Sequence, residues 1–504
     1  MRSDRIWHPG LLAKRTTAEA AAALIEPGAT VGMSGFTGAG YPKAVPLALA
    51  ARIEQAHQAG RPFALRLFTG ASTGPELDGA LAKVNGIEFR LPYNSDPIAR
   101  EKINRGEIEY LDLHLSQVAP MVRGGFLGPV DVAIIEVTAI HEDGSLVPSS
   151  SLGNNRTFLD AASAVILEVN HWQDVRLAGM HDIYYGLHNP PGCEPIPLRH
   201  PADRIGETRL RCDPAKVVAV VETQIPDRCT PFVEPGGVAQ AIAGHLLDFF
   251  EHEVKKGRLP HSLLPLQSGV GNVANAVLGG LLHSRFEDLT AYTEVLQDSM
   301  LELLLSQKMH SASATALSLS PAALERFRDE LDDLRERVVL RPQEISNHPE
   351  IVRRLGVIAM NGMLECDLLG NVNSTHVMGS QVQNGIGGSG DFARNAYLSI
   401  FTAPSTAKQG RISTVVPHVS HVDHVPQDVQ ILVSEQGLAD LRGLSPRARA
   451  KVILQHCAHP DYRGALQEYF DRTQQSGRRG RTPVLLDEAF AWHQRYLRDG
   501  SMRG

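Results

Sequence analysis

Short runs of β-branched and aliphatic residues recur through the first 225 residues. They are GATVGMSGF (28–36), FALRLFT (63–69), DVAIIEV (131–137), AVILEVN (164–170) and KVVAVVE (216–222). Runs that are apolar throughout are typical of strands buried on both faces of a sheet. The segment between the first two runs, residues 43–60, has helical spacing of its apolar residues. This alternation predicts an α/β fold with a largely parallel sheet.

A second α/β region follows a loop-rich passage. Residues 187–207 contain five prolines, which predicts a long excursion without regular structure. Beyond about residue 230 helical patterns return at 238–257 and 273–284, and a strand-like run at 291–298 holds Glu294. Because 504 residues exceed what one hydrophobic core normally serves, we predict two domains, 1–228 and 229–504.

Composition excludes several classes of protein. The net charge of −7 argues against non-specific nucleic-acid binding, which depends on clustered lysine and arginine. No apolar run approaches the roughly 20 residues that span a bilayer, and the N-terminus lacks a secretory signal. The five cysteines are scattered and form no C-x-x-C pair, so we expect reduced thiols. The sequence therefore predicts a cytoplasmic protein with no membrane or nucleic-acid partner.

Three glycine-rich segments are candidate ligand-binding loops. SGVGNVANA (268–276) joins a strand to a helix, where backbone N–H groups can hold phosphate oxygens. GFTGAGYPK (35–43) is a similar turn, and for both segments a purely structural role is equally open. NGIGGSG (384–390) packs four glycines into six residues, which suits a close backbone approach or an oxyanion hole.

The histidines of VSHVDHV (419–425) invite a metal-site interpretation, which we reject. His418, His421 and His424 are three residues apart, and that period matches neither face of a strand. The sequence shows no cysteine or acidic cluster to complete a tetrahedral site. No metal is expected. Glu435 ends the apolar run ILVSEQG, so it lies either on the surface or at the ligand-facing end of a strand.

Glu294 is a lone carboxylate in the apolar run AYTEVLQD (291–298). Burying a carboxylate is costly unless a partner stabilises it, so the residue needs an explanation. The sequence has no G-x-S-x-G elbow of a serine hydrolase and no Walker A loop of a P-loop nucleotidase. Residue types alone leave open whether Glu294 is a half-exposed strand residue or a nucleophile.

Seven segments in order, from about residue 7 to 470, resemble the acetyl-CoA hydrolase/transferase family, a branch of the family I CoA-transferases. They are GFTGAGYPKAVP, EDGSLVPSSSLGNN, SGVGNVANAVL, YTEVLQD, NGIGGSGDFARNAYLSIF, SEQGLADLRGLSPRARA and AHPDYR. The resemblance implies two related α/β domains with the active site in the cleft between them, usually in a homodimer. It also implies that the domain 229–504 carries the catalytic glutamate and most coenzyme A contacts.

The resemblance also assigns roles to residues. It implies that Glu294 is the catalytic glutamate, Asn347 a side-chain donor near it, and Gly388 the backbone donor of the oxyanion hole. Glu435 and Arg228 match residues near the family's site. The positions that the family uses for coenzyme A are here Gly269, Val270, Gly271, Asn272, Val273, Asn384, Gly388 and Lys408.

The reaction implied is the transfer of coenzyme A between short carboxylic acids, with succinyl-CoA and acetate as the expected pair. A carboxylate can attack a thioester, so Glu294 would carry first an acyl anhydride and then a CoA thioester. Coenzyme A is then a substrate, and no tightly bound cofactor is expected. The alternatives are an acyl-CoA hydrolase, another CoA-transferase such as propionyl-CoA:succinate, and a non-catalytic CoA-binding regulator.

Overall fold

The computed structural model describes residues 4–228, 233–269, 271–475 and 481–504. The chain forms two compact units. The first unit comprises Met1–Phe232, Ala291–Leu301 and His310–Ile351, and the second comprises Val233–Thr290, Glu302–Met309 and Val352–Gly504. These units differ from the division 1–228 and 229–504 because two later segments pack with the N-terminal residues. Within the described ranges, no helix is both long and apolar enough to cross a membrane.

The N-terminal part of the chain alternates helices and strands. Its helices are α1 (Pro9–Leu12), α2 (Ala18–Ala22), α3 (Ala44–Gln58), α4 (Ala80–Lys83), α5 (Pro97–Asn104), α6 (Leu115–Arg123) and α7 (Asn155–Ala161). Its strands are β1 (Thr30–Gly32), β2 (Leu65–Phe68), β3 (Ile87–Leu91), β4 (Glu109–Tyr110), β5 (Val130–Ile140), β6 (Leu146–Pro148), β7 (Ala162–Asn170) and β8 (Val217–Thr223).

These strands form one sheet in the first unit. Their order is β4-β3-β2-β1-β5-β7-β8, and β6 pairs with β5 outside that path. All neighbours on the path are parallel, whereas β6 is antiparallel to β5. The five apolar runs became β1, β2, β5, β7 and β8, so the predicted parallel sheet is confirmed.

Both faces of this sheet are buried, as apolar runs without alternation predict. Ile134 belongs to one hydrophobic cluster and its neighbour Ile135 to another. Leu67 and Phe68 are divided between the same two clusters. Because successive side chains of a strand point to opposite faces, each cluster is the core on one side of the sheet.

The rest of the chain supplies the remaining elements. Its helices are α8 (Gly237–Lys255), α9 (Asn272–Leu282), α10 (Asp298–Leu305), α11 (Pro321–Asp329), α12 (Leu331–Arg337), α13 (Gln343–Ser346), α14 (Pro349–Leu355), α15 (Ser389–Asn395), α16 (Pro446–His456), α17 (Pro460–Gln475) and α18 (Ala491–Asp499). Its strands are β9 (Leu266–Ser268), β10 (Leu289–Tyr292), β11 (Val295–Leu296), β12 (Met309–Ala314), β13 (Ala316–Leu317), β14 (Val338–Leu340), β15 (Ile358–Gly362), β16 (Glu365–Asp367), β17 (Val372–Asn373), β18 (His376–Val377), β19 (Gln381–Val382), β20 (Leu398–Thr402), β21 (Thr406–Ala407), β22 (Ile412–Ser413), β23 (Val415–Val416), β24 (Ile431–Ser434) and β25 (Gly437–Asp440).

The second unit has its own parallel strands. β9, β15, β20 and β24 lie side by side in that order and are parallel, and β25 adds an antiparallel edge. Parallel strands end at the same edge of a sheet, so the residues that follow β9, β15, β20 and β24 lie near one another. In open α/β sheets this carboxyl edge is where ligands bind.

Candidate active site

Glu294 lies at a bend between β10 and β11 in the first unit. The expectation of a strand running through Glu294 is therefore wrong. At this bend the Glu294 carbonyl oxygen accepts two N–H groups, from Thr315 at 2.8 Å and from Ala316 at 3.1 Å. Glu294 is partly exposed at this bend, while its backbone is held by these hydrogen bonds.

The residues on either side of Glu294 are buried. Tyr292 and Thr293 are fully buried, and Val295 is 3% exposed. Val295 belongs to a small apolar cluster that includes Phe36 and Ala39 of the glycine turn at 35–43. A partly exposed carboxylate between buried neighbours has a well-defined position, as a nucleophile requires.

Asn347 is fully buried directly after α13, also in the first unit. Its Nδ2 donates to the carbonyl oxygen of Gln343 at 3.2 Å. Its Oδ1 accepts no hydrogen bond from the residues that the structure describes. A neutral amide can stabilise an oxyanion without changing its protonation state. The predicted donor role of Asn347 is compatible with this position and stays a prediction.

Arg228 forms an ion pair with Glu76, a partner that the sequence did not indicate. The Tyr41 hydroxyl donates to the other Glu76 oxygen at 2.6 Å. Burial alone would raise the pKa of Glu76, but the bonds from Arg228 and Tyr41 outweigh it and hold that pKa below its usual value. Arg228 is therefore a fixed, charged group.

The glycine turn at 35–43 contacts Arg228 directly. The Arg228 N–H donates to the Gly38 carbonyl oxygen at 3.0 Å. Gly38 has a φ of +83°, and a Cβ there would lie 2.8 Å from the Arg228 carbonyl oxygen. Gly38, Arg228, Ser150 and Gln173 help to line a pocket of about 20 Å³, which is room for one water molecule.

Lys43, at the end of this turn, belongs to a buried charge network with Glu136 and Asp227. Lys43 Nζ is 2.6 Å from Glu136 Oε2 and 2.9 Å from Asp227 Oδ1. Burial opposes the charge of Lys43, but the two carboxylates outweigh it and raise the lysine pKa. Burial also raises the pKa of Glu136 to about 7, against the opposing effect of Lys43. The network fixes Asp227, and thereby the backbone of its neighbour Arg228.

In the second unit, the predicted coenzyme A turn lines a pocket of about 340 Å³. Gly269, Gly271, Asn272 and Val273 belong to its wall, whereas Val270 lies outside the described residues. The other wall consists of residues 360–363 and 402–404, which end β15 and β20. This volume falls within the range of small-molecule sites, and the pocket is at the carboxyl edge of the sheet.

The backbone conformation of this turn explains why residue 271 is a glycine. Gly271 has a φ of +132° directly before α9, in the region that favours glycine. The eleven-residue helix α9 begins at Asn272, so the pocket wall includes the first N–H groups of a helix. Those N–H groups and the helix dipole favour an anionic ligand.

The second glycine loop also lies in the second unit. Gly388 is buried and directly precedes α15. Gly385 and Gly387 have φ values of +154° and +57°, in the region that favours glycine. Asn384 Oδ1 accepts the Gly385 N–H at 2.7 Å. Lys408 is exposed in the turn between β21 and β22.

Glu435 directly follows β24, so the structure places it at the carboxyl edge of this sheet. Its carboxylate accepts hydrogen bonds from the Ser405 N–H at 2.7 Å, the Ser405 hydroxyl and Gln436 Nε2 at 3.0 Å. Burial alone would raise the pKa of Glu435, but these donors outweigh it, so the pKa is lowered. The sequence did not indicate Ser405, which follows the neighbouring strand β20.

The three histidines around residue 421 have different surroundings. His424 is 2% exposed, whereas His418 and His421 are partly exposed. Among the described residues, His421 shares a possible metal-ligand group with Asp423 and with His376, a histidine outside the 418–424 segment. The expectation that the protein binds no metal stays a prediction.

Family models cover most of the chain. One described as the acetyl-CoA hydrolase/transferase N-terminal domain matches residues 10–222, and one described as the C-terminal domain of the same family matches residues 324–470. The order of the two matches agrees with the order of the motifs in the sequence.

Characterised relatives match along almost the whole length. The succinyl-CoA:acetate CoA-transferase of Clostridium kluyveri is 50% identical over 99% of this chain and 92% of its own. The propanoyl-CoA:succinate CoA transferase of Escherichia coli is 46% identical over 97% of this chain and 99% of its own. The acetyl-CoA hydrolase of Schizosaccharomyces pombe is 45% identical over 94% of this chain and 93% of its own.

The crystal structure of RipA from Yersinia pestis has the same fold. It matches with a TM-score of 0.73 and 24% identity, over 92% of this chain and 98% of its own. The predicted fold class of two α/β domains with largely parallel sheets is confirmed.

Proposed function

We propose that this chain, which belongs to the acetyl-CoA hydrolase/transferase family, moves coenzyme A from succinyl-CoA to acetate through a thioester on Glu294. Two full-length relatives at 46–50% identity are CoA-transferases, and the chain is an enzyme of that class. The substrate pair is taken from the Clostridium kluyveri relative.

The observation that carries the proposal is the position of Glu294. Its backbone is fixed by two hydrogen bonds, its neighbours are buried, and its side chain is partly exposed. A nucleophilic carboxylate needs this combination, since it must reach a thioester without being mobile.

The chemistry proceeds by carboxylate exchange. A Glu294 oxygen attacks the succinyl carbonyl carbon, the C–S bond breaks, and CoA leaves as thiolate. The thiolate then attacks the Glu294 carbonyl carbon of the anhydride. The bond from that carbon to the bridging oxygen breaks, and succinate leaves with this oxygen, which came from Glu294. Acetate then attacks the Glu294 thioester, which releases CoA thiolate and forms an acetyl anhydride. The thiolate attacks the acetyl carbonyl carbon, so acetyl-CoA leaves and the Glu294 carboxylate is restored. No proton transfer is required, because every nucleophile and leaving group is an anion.

Neutral donors fit the oxyanions of this sequence. The Gly388 N–H and the Asn347 amide are the proposed donors, and each oxyanion donor is worth about 2.7–4 kcal/mol in other enzymes. These two roles rest on the family resemblance. The compatible observations are that both residues are buried and that the Asn347 amide is neutral.

The pocket at the glycine turn is the proposed site for coenzyme A. Gly269, Gly271, Asn272 and Val273 line it, and the N-terminus of α9 favours phosphate or carbonyl oxygens. Lys408 is exposed and is the proposed contact for a CoA phosphate. Binding energy from these remote contacts lowers the barrier at the thioester.

The alternative is hydrolysis, since a relative of the same family is an acetyl-CoA hydrolase. A hydrolase needs a base that activates water, and Glu435 is the carboxylate considered for this role. Its hydrogen bonds from Ser405 and Gln436 hold its pKa below the usual value, which makes it a weak base. Whether CoA release depends on an added carboxylate decides between the two reactions.

The test is intact-protein mass spectrometry after mixing with succinyl-CoA in the absence of acceptor, followed by peptide mapping. We expect an adduct with the mass of CoA less water on Glu294, discharged when acetate is added. Glu294→Ala removes the nucleophile and should form no adduct. Glu287→Gln, an exposed glutamate nearby in sequence, is the matched control and should form it normally.

Two other outcomes would change the conclusion. Steady release of CoA that needs no carboxylate and leaves no adduct would identify a hydrolase. An adduct formed with another acyl-CoA but not with succinyl-CoA would keep the Glu294 mechanism and replace the donor.

A further inference from the structure

A group of possible metal ligands lies in the second unit, outside the proposed coenzyme A pocket. It joins the segment around β17 and β18 to the segment 421–424. The Val372 N–H donates to the His424 carbonyl oxygen at 2.9 Å, and the His424 N–H donates to the Val372 carbonyl oxygen at 3.0 Å. Backbone pairing therefore holds the two segments together independently of any ion.

Three side chains converge at this junction. His376, His421 and Asp423 each offer a ligand atom, and the three atoms lie within 4.8 Å of one another. The centroids of the two imidazole rings are 3.8 Å apart, and the ring planes are tilted by 33°. His421 Nε2 is 3.4 Å from Asp423 Oδ1.

Hydrogen bonds fix the carboxylate in this group. Asp423 Oδ2 accepts the backbone N–H groups of Ser374 at 2.7 Å and Thr375 at 3.0 Å. The Asp423 side chain is 4% exposed. The backbone donors hold Oδ2, and Oδ1 is directed toward His421.

A hydroxyl relay sets the tautomer of His376. Thr375 Oγ1 lies 2.6 Å from His376 Nδ1 and 2.8 Å from Asp423 Oδ1. The hydroxyl donates its one proton to the Asp423 carboxylate, so we assign to His376 the tautomer in which Nδ1–H donates a hydrogen bond to Thr375 Oγ1. His376 Nε2 therefore has a lone pair, which is the state of an imidazole that binds a metal.

In place of the expectation that this segment binds no metal, we propose that His376, His421 and Asp423 bind a divalent transition metal ion of the Zn²⁺ class. Two imidazoles and one carboxylate are a common ligand set for such ions, with water completing the coordination. Ligand atoms around tetrahedral zinc are about 3.3–3.5 Å apart, given bonds of about 2.0–2.1 Å. The ligand atoms here lie within 4.8 Å of one another, so binding requires a side chain to move, and His421 is 39% exposed.

The site has a structural consequence within the second unit. Thr375 and His376 begin the hairpin β18–β19, and the Gln383 N–H donates to the Thr375 carbonyl oxygen at 2.7 Å. The glycine loop with Asn384 and Gly388 follows this hairpin directly. A bound ion would join His376, at the start of this hairpin, to His421 and Asp423, and would stiffen the approach to that loop.

The experiment measures Zn²⁺ binding by isothermal titration and Co²⁺ binding by visible absorption, on the full chain with Cys193→Ser. Cys193 is an exposed thiol that would otherwise compete for metal. We expect one ion per chain and a Co²⁺ spectrum of nitrogen and oxygen ligands without a thiolate band. His376→Asn and His421→Asn should each weaken binding at least tenfold.

Two further variants distinguish a specific metal site from non-specific binding at the surface. Thr375→Val removes the relay and should weaken binding about 10–100-fold, as for other groups that orient metal ligands. His418→Gln, a partly exposed histidine of the same segment, is the matched control and should bind normally. Circular dichroism checks that each variant is folded.

The proposal fails if the wild-type protein shows no saturable binding, since the group would then be an ordinary ion pair between His421 and Asp423. Binding that persists in folded His376→Asn and His421→Asn also overturns it. Neither result bears on the CoA adduct of Glu294, which is measured without added metal.

Discussion

Arg228 and Glu76 form an ion pair in which the acid is nearly buried and the base is open to solvent. The Glu76 side chain is 9% exposed and that of Arg228 is 60% exposed. Since Tyr41 holds the second Glu76 oxygen, the acid is a rigid anchor for the guanidinium. A guanidinium has five N–H donors in a fixed plane, so Arg228 retains donors for a second carboxylate. We infer that it contacts the carboxylate of a substrate acid.

The first prediction follows from that contact. Arg228→Met should raise the KM for the acceptor carboxylate about tenfold and change kcat less, since a charged hydrogen bond that serves binding is lost. Steady-state kinetics with varied acetate measures this. Arg211→Met is the matched control, because Arg211 is an exposed arginine of the same unit that pairs with Glu207. Equal KM values for Arg228→Met and the wild-type enzyme would remove Arg228 from the site.

The second prediction concerns the buried lysine. Lys43→Met leaves Glu136 and Asp227 without their cation, which should reduce the free energy of unfolding by about 3–5 kcal/mol. Urea unfolding measures the loss. Lys83→Met, at an exposed position, should change stability by less than about 0.5 kcal/mol.

The loss in Lys43→Met should grow between pH 6 and pH 8. Burial raises the pKa of Glu136 to about 7 even beside Lys43, and the variant removes the opposing charge. A carboxyl with a raised pKa in the folded protein stabilises the fold at low pH and loses that effect as the pH rises. A deficit independent of pH would show that Glu136 does not titrate in this range.

Some features of the same charge network could be predicted from the sequence, and others could not. Glu136 and Glu168 are lone carboxylates in apolar runs, which is the signal that drew attention to Glu294. They are register partners on β5 and β7, so the parallel sheet brings them together. The two carboxylates could therefore be singled out in the sequence. Their contact with Lys43 could not be predicted, because it depends on the order of the strands in the sheet.

The strands and the glycine turns were predictable because they depend on local sequence. Apolar runs predicted β1, β2, β5, β7 and β8 of the first sheet but not β3, β4 or β6. Gly38 and Gly271 have the positive φ values that such turns use. Partners distant in sequence were missed, including Glu76 for Arg228 and His376 for His421. The spacing around residue 421 does not indicate His376, which lies 45 positions earlier. His376 is close to His421 because of the folding of the β17–β19 region.

The third prediction tests the glycine turn. Gly271→Ala should raise the KM for acyl-CoA about tenfold, because alanine disfavours a φ of +132° by about 1–2 kcal/mol and the turn would relax. A Cβ at Gly271 would meet nothing within 4 Å, so crowding does not explain the effect. Kinetics with varied succinyl-CoA measures it.

Gly279→Ala is the control for this turn. A Cβ at Gly279 also meets nothing within 4 Å, but this glycine lies inside α9. Its KM should be unchanged, and alanine should stabilise the helix by about 0.5–1 kcal/mol. Equal kinetics for both variants would show that the backbone of Gly271 does not shape the CoA site.

The fourth prediction concerns His181, a fully buried histidine of the first unit. Its Nε2 donates to the Ser149 carbonyl oxygen at 2.8 Å. Burial lowers the pKa of His181 to about 4, whereas an unfolded histidine titrates near about 6.5. Between these values the unfolded chain binds the extra proton, so the free energy of unfolding falls as the pH falls.

This stabilisation is complete above about pH 6.5 and should be lost progressively toward pH 4, by at most about 3 kcal/mol. His181→Gln removes the titrating group, so its loss of stability between pH 7 and pH 4 should be smaller than that of the wild-type protein. Urea unfolding at a series of pH values measures the difference, and the exposed His310→Gln should follow the wild-type curve. Parallel curves for the wild-type protein and His181→Gln would show that His181 keeps an ordinary pKa in the folded protein. Acid sensitivity would then come from carboxylates such as Glu253, whose pKa is lowered to about 2 because Arg258 and Arg442 outweigh its burial.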